Sequence, residues 1–210
     1  MIHEKPCTRW EDFEAEIQAL FERAKETRVK KEPLYVSSPL FRGLADQSWG
    51  LKTTLERYSG REYTREDYFN IIRAVLPAAQ SFTGKSWNLG GDFVEDDSAY
   101  LPPQGYEFMI YLRHHGFPSP LLDWTLSPYV AAFFAFRSKM ACAAQNVAIY
   151  SYIEYAGGAK MWTDGPAVFV IGNYVTTDRR HHIQQCQYTF CRKKGDRGFE
   201  YCNHNLLLTE

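Results

Sequence analysis

Residues 113–136 read RHHGFPSPLLDWTLSPYVAAFFAF. From Leu121 onward nearly every residue is apolar, yet Asp123, Thr125 and Ser127 interrupt the run at every second position. Alternation puts Leu122 and Trp124 on one face of a short buried strand and Asp123 and Thr125 on the other. Ser127 followed by Pro128 is a strong helix start: a hydroxyl cap, then a residue that lacks the amide a first turn leaves unpaired. A strand that feeds a helix through so tight a turn presents free backbone N–H groups and a partial positive charge. Two readings stay open. Thr125 and Ser127 cap the helix while Asp123 answers a nearby arginine, or the junction holds an anionic or sugar-like ligand.

Upstream, YEFMIYLRHHG (106–116) has a helical pattern closed by Gly116. TRWEDFEAEIQALFERAKET (8–27) sets Trp10, Phe13, Ile17, Leu20, Phe21 and Ala24 on one helical face, with Thr8 as its cap. Such a helix covers its own core or serves a partner. LYVSSPLFRG (34–43) favours strand, broken by Pro39. ADQSWGLKTTLERYSG (45–60) reads as loop and turn. YTREDYFNIIRAVLPAAQSF (63–82) is helical, with Pro77 expected to kink or end it. NLGGDFVEDDSAYLPPQG (88–105) is a Gly-rich acidic loop. NVAIYSYIEY (146–155), AVFVIGNYV (167–175) and HHIQQCQYTFCRKKGDRG (181–198) read as late strands. Helices first and strands late favour an α+β fold: a small bent or split antiparallel sheet flanked by helices. The expected division is an N-terminal amphipathic helix over 1–30 and a domain over 31–210.

The 210 residues carry a net charge of -1, which gives no general field for nucleic acid or an anionic membrane. No apolar run is long enough to span a bilayer, so no membrane partner is expected. Five cysteines at irregular spacing suit free thiols and a cytoplasmic location. His181, His182, Cys186, Cys191, Cys202 and His204 crowd one segment, but no two cysteines lie closer than five residues. No metal is expected, because structural zinc takes closely spaced cysteine pairs. His114 and His115 are neighbours on a helix and point about 100° apart, so they do not readily share one metal. The basic run 176–198 reads as a solvated edge.

LFRGLADQSWGLKTTLERY (40–58), HHGFPSPLLDWTLSPYVAAFFAF (114–136) and RRHHIQQCQYTF (179–190) resemble, in order, three signatures of the FRG domain family. The chain departs from that pattern with Ser119 and Pro120 where the family tends to carry Thr-Arg, and with Cys186 in place of a glycine. The layout is also similar, more loosely, to ADP-ribosyltransferase folds: an aromatic-Arg-Gly strand, then a hydroxyl-bearing strand entering a helix. That resemblance implies an NAD-binding cleft and ADP-ribosyl transfer or NAD cleavage, in a toxin or defence setting. It implies Arg42 on phosphate or ribose, Thr125 on the nicotinamide ribose, and Gln184 or Gln185 where a catalytic glutamate would stand. A neutral amide cannot offset a developing cation as a carboxylate does, and Asp123, Glu154 and Glu200 are the carboxylates available instead. Phe41, Gly43, His114, His115, Asp123, Trp124, Ser127 and Tyr188 complete the expected ligand-binding set, with Trp124 or Tyr188 stacking on nicotinamide. The alternative is a non-catalytic module that binds a nucleotide, small molecule or partner. The acceptor, protein or nucleic acid, stays open.

Overall fold

Side-chain alternation divides the protein into two layers that meet at the sheet. The computed structural model describes residues 4–30, 35–95, 102–139, 144–158, 164–172 and 179–207. In chain order the helices are α1 (Trp10–Lys30), α2 (Thr54–Tyr58), α3 (Arg65–Thr83), α4 (Tyr106–His114), α5 (Pro128–Lys139) and α6 (Arg179–Ile183). The strands are β1 (Leu40–Leu44), β2 (Tyr63–Thr64), β3 (Leu122–Thr125), β4 (Ala148–Tyr152), β5 (Ala167–Ile171), β6 (Cys186–Gly195) and β7 (Gly198–Tyr201). A 3-10 turn, His204–Leu207, follows β7. The result is an α+β architecture on a seven-stranded antiparallel sheet, and no described helix is long and apolar enough to cross a membrane.

Strand β6 organises the sheet. It pairs with β3 through residues 186–189, with β5 through 188–192 and with β7 through 192–195. On one face Tyr188, Phe190, Phe169, Ile171 and Tyr201 join Tyr68, Ile72, Phe108 and Ile110 of α3 and α4 in the main core. On the other face Leu122 and Trp124 pack with Leu40 and Leu51, and Cys191 packs with Val168 and Cys202. The alternation read around Asp123 is therefore the partition of the whole sheet.

The sheet is split where β1 meets β3. β1 pairs along its length with β4, but with β3 at one register position, Phe41 opposite Thr125. Helix α5 lies over β1 at Gly43. A Cβ built there would overlap the carbonyl oxygen of Ala131 and come within 3.0 Å of the Ala135 methyl. Gly43 is thus required by the approach of a helix to a strand rather than by its own dihedral angles.

Several elements differ from the sequence expectation. The segment expected to be loop and turn contains α2, capped reciprocally by the Thr53 side chain and Glu56. Pro77 does not end α3, which continues to Thr83 and stops at Gly84, whose φ of 67° is left-handed. Residues 179–183 are helical, and β6 begins only at Cys186. The basic run is not wholly a solvated edge, since Arg192 is buried with its guanidinium 3.9 Å from the Phe199 ring centroid. Helix α1 buries only Ala24, and touches the domain through Trp10 and Phe13 against Tyr129 and Phe21 against Phe41.

Gly43→Ala is expected to lower unfolding free energy by about 1–3 kcal/mol, because backbone rather than a pliable side chain fills the space. Urea unfolding followed by tryptophan fluorescence measures it. An unchanged midpoint would mean that α5 does not seat on β1 as described.

Candidate functional site

At the split between β1 and β3, two arginines from different elements meet one carboxylate. Asp123 stands opposite Tyr188 in the β3–β6 ladder, so its side chain shares the face covered by α4. Arg113, in the last turn of α4, makes an ion pair from Nη2 to Asp123 Oδ1, and its Nη1 donates to Thr54 Oγ1 at 3.3 Å. Arg42 arises from the opposite pleat of β1, opposite Tyr150, and reaches the seam. Its Nη1 donates to the Asp123 carbonyl oxygen at 2.6 Å and lies 3.6 Å from Oδ2. The arginine side chains are 12% and 9% exposed, while that of Asp123 is 46% exposed. The carboxylate is thus the open end of an otherwise buried cluster.

Two cations around one anion leave a surplus positive charge. Burial lowers the pKa of Arg42 to about 10, and burial together with the Arg42 charge lowers that of Arg113 to about 9. Both remain charged at neutral pH, so each keeps a demand for electron-rich partners that is only partly met. The Nε of Arg42 and of Arg113 are buried without a hydrogen-bond partner among the described residues. Orphaned guanidinium donors beside excess positive charge favour an anion, above all one with the forked geometry of phosphate or carboxylate.

Thr125 and Gln184 come together, though not as two side chains. Thr125 Oγ1 donates to the Gln184 carbonyl oxygen at 2.7 Å and accepts from the Ser127 amide at 3.1 Å. The Ser127 hydroxyl then accepts from the Val130 amide at 3.3 Å, capping α5. The side chain of Gln184 lies by Cys186, with Oε1 accepting from the thiol at 3.8 Å. Gln185 follows with a left-handed φ of 50°, which turns the chain from α6 into β6.

Beside Asp123, the buried Tyr188 hydroxyl is shared by two histidines: His114 Nε2 at 2.8 Å and His181 Nδ1 at 3.1 Å. One hydroxyl has one proton, so the two rings divide the donor and acceptor roles. His181 is fully enclosed, its Nε2 has no hydrogen-bond partner among the described residues, and burial lowers its pKa, helped by His182 and His114. Sequence reading missed this histidine and Arg113. The signal for Arg113 was present, since it stands next to the histidines in the quoted stretch.

The other expected site residues lie apart from the cluster. Trp124 faces the second layer, where its indole N–H donates to Thr189 Oγ1 at 2.8 Å. His115 is exposed, with Nδ1 2.8 Å from the Tyr111 carbonyl oxygen and its ring against Tyr111. Phe41 is fully buried, and Gly43 is the seat of α5. Of the three alternative carboxylates, only Asp123 is in the cluster. Glu154 accepts from the Val170 amide, and Glu200 pairs opposite Thr64 and Lys193.

On the far face, the Thr189 hydroxyl lies 3.0 Å from His204 Nε2. The Thr189 hydroxyl accepts from the indole and shares a second hydrogen bond with the His204 ring. Burial, then the charge of Arg42, lowers the His204 pKa to about 3. A histidine buried neutral supports folding above its unfolded pKa near 6.5 and loses that support as pH falls toward its folded value. His204 should therefore cost about 2 kcal/mol of stability between pH 6.5 and pH 5. In His204→Gln, which retains a hydrogen-bond partner for Thr189, urea midpoints should fall less over that interval than in the wild type. Parallel curves would mean that His204 is not buried neutral.

The sequence profile of the FRG domain matches residues 37–143, just over half of the chain. No curated protein and no solved structure matches it. The matched span carries Arg42, Arg113, His114, Asp123 and Thr125, whereas Tyr188, His181 of α6 and Gln184 after it lie beyond it. On that match, with its Phe41-Arg42-Gly43 on β1 and its acidic-hydroxyl strand leading into α5, the chain belongs to the FRG domain family.

Proposed function

We propose that this FRG domain binds a phosphate-bearing nucleotide of the NAD class at the Arg42–Arg113–Asp123 cluster. The observation that carries the reading is the pair of buried guanidinium groups with orphaned Nε donors around one half-exposed carboxylate. A diphosphate would satisfy those donors and neutralise the surplus charge, displacing Asp123 from at least one of them. Asp123, not Gln184, is the acidic group placed to stabilise positive charge at a ribose, which is where an ADP-ribosyltransferase-like activity would require it. Tyr188 and His114 would border the same site from β6 and α4.

Thr125 fits such a ligand only in part. Its proton is committed to Gln184 and one lone pair to Ser127, so it can accept from a ribose hydroxyl but not donate to one. That commitment favours a second reading, in which the cleft binds a nucleotide and cleaves nothing.

Isothermal titration with NAD, ADP-ribose and inorganic pyrophosphate, alongside a nicotinamide-release assay, tests both. Wild type is expected to bind NAD. Arg113→Gln should weaken that binding at least tenfold, roughly 1.4 kcal/mol. Asp123→Asn removes the internal competitor, so it should bind pyrophosphate as well or better while losing any nicotinamide release. Binding without release in the wild type would select the second reading. Failure of all three ligands to bind folded protein would end the proposal.

A further inference from the structure

Cys191 and Cys202 face each other across the β6–β7 hairpin. The register that sets Arg192 opposite Tyr201 continues one step outward to place these two cysteines opposite one another. The Cys202 amide donates to the Cys191 carbonyl oxygen at 3.0 Å, which fixes that step. Their sulfurs are 2.8 Å apart. Non-bonded heavy atoms rest at about 3.5–4.0 Å, and a disulfide bond is about 2.05 Å long. The two thiols are thus in direct contact without a bond between them, and both are reduced here.

The other described cysteines lie away from this pair. Cys186 lies on the same strand but on the opposite pleat, directed to the main core and bonded to Gln184. Cys7 is exposed in the segment preceding α1. Val168 and Tyr152 close the space around the pair.

We propose that Cys191 and Cys202 form a dithiol modification site, converted by hydrogen peroxide into an intrachain cross-strand disulfide. The Cys202 thiolate attacks the O–O bond, becomes a sulfenic acid and releases water once a proton is taken up. The Cys191 thiol then attacks that sulfur, the S–S bond forms, and the hydroxyl leaves as a second water. Two thiols lose two electrons and two protons in all, and the peroxide gains them. The order of attack follows from the environment. Cys191 is the more enclosed of the two, so it suits the resolving role and Cys202 the attacking one. Burial also slows reduction, which makes the product a lasting link rather than a rapid sensor.

The link would act on the segment that follows. Cys202 leads directly into the turn carrying His204, bonded to Thr189, and Asn205, whose Oδ1 accepts from the Leu51 amide at 2.9 Å. Tying Cys202 to β6 therefore anchors the contacts that close the second layer. This inference does not depend on the nucleotide reading.

Trypsin cleaves between the two cysteines, at Arg192, Lys193, Lys194 and Arg197, so a disulfide leaves two peptides joined. Native protein treated with hydrogen peroxide, blocked with an alkylating agent, digested and analysed by mass spectrometry should yield a reductant-sensitive peptide pair joining Cys191 to Cys202. Cys191→Ser should lose it. Oxidised wild type should also melt at a higher temperature than the reduced form, a difference expected to vanish in the Cys191→Ala/Cys202→Ala double variant. Complete alkylation of both cysteines after peroxide treatment would overturn the proposal. So would pairing of Cys202 with any other cysteine.

Discussion

Asp123 sits where the sheet has come apart, and the two arginines that grip it hold the two sides of the split together. β1 and β3 share a single register position, so strand pairing alone does little to bind them. Arg42 crosses from β1 to the Asp123 backbone and carboxylate, and Arg113 reaches the same carboxylate from α4. One ion cluster thereby replaces part of a hydrogen-bond ladder. Its net worth for folding is small or negative, because burying guanidinium groups costs several kcal/mol per ion and half of the carboxylate remains in water. A purely structural solution would have continued the ladder. Under the proposed reading, a bound anion would complete the charge that this arrangement keeps in the protein.

The same seam explains why the surrounding polar groups are so thoroughly fixed. Thr125 is bonded to Gln184 and Ser127, Ser127 caps α5, and α5 is seated on Gly43 of β1. Tyr188 ties α4 to α6 through two histidines. Each tie crosses from one element to another near Asp123, so the cluster is enclosed on three sides by groups unable to drift. Preorganised donors of this kind hold charge more strongly than mobile ones, since a ligand need not reorder them on arrival.

Much of the fold was legible because its signals are local. The Ser127-Pro128 start of α5, the Gly116 end of α4 and the alternation through Leu122–Thr125 all depend on neighbours in sequence. Arg42 reaches Asp123, but Gln184, expected to contribute its side-chain amide, meets Thr125 through its backbone carbonyl. What escaped is what only packing decides. Arg192 looked like edge charge until Phe169 and Phe199 enclosed it, and Pro77 looked like a break although α3 continues past it. Trp124 was expected beside the ligand, but pleat parity sends it to the opposite face from Asp123. His181 could not be singled out from a run of two histidines because its role comes from Tyr188, seven residues and one turn away.

Parity also separates two kinds of chemistry on one strand. Along β6, Tyr188 projects with Asp123 toward the charged cluster, while Thr189 and Cys191 project into the other layer. His204 joins that second layer through Thr189, yet its pKa is lowered in part by Arg42. The charge of Arg42 is therefore felt on both sides of the sheet. An anion arriving at the cluster would offset that charge and ease protonation of His204, so a ligand on one face would be registered as a change in proton affinity on the other. Such coupling needs no moving part. It follows from placing a single buried guanidinium where two strands fail to meet.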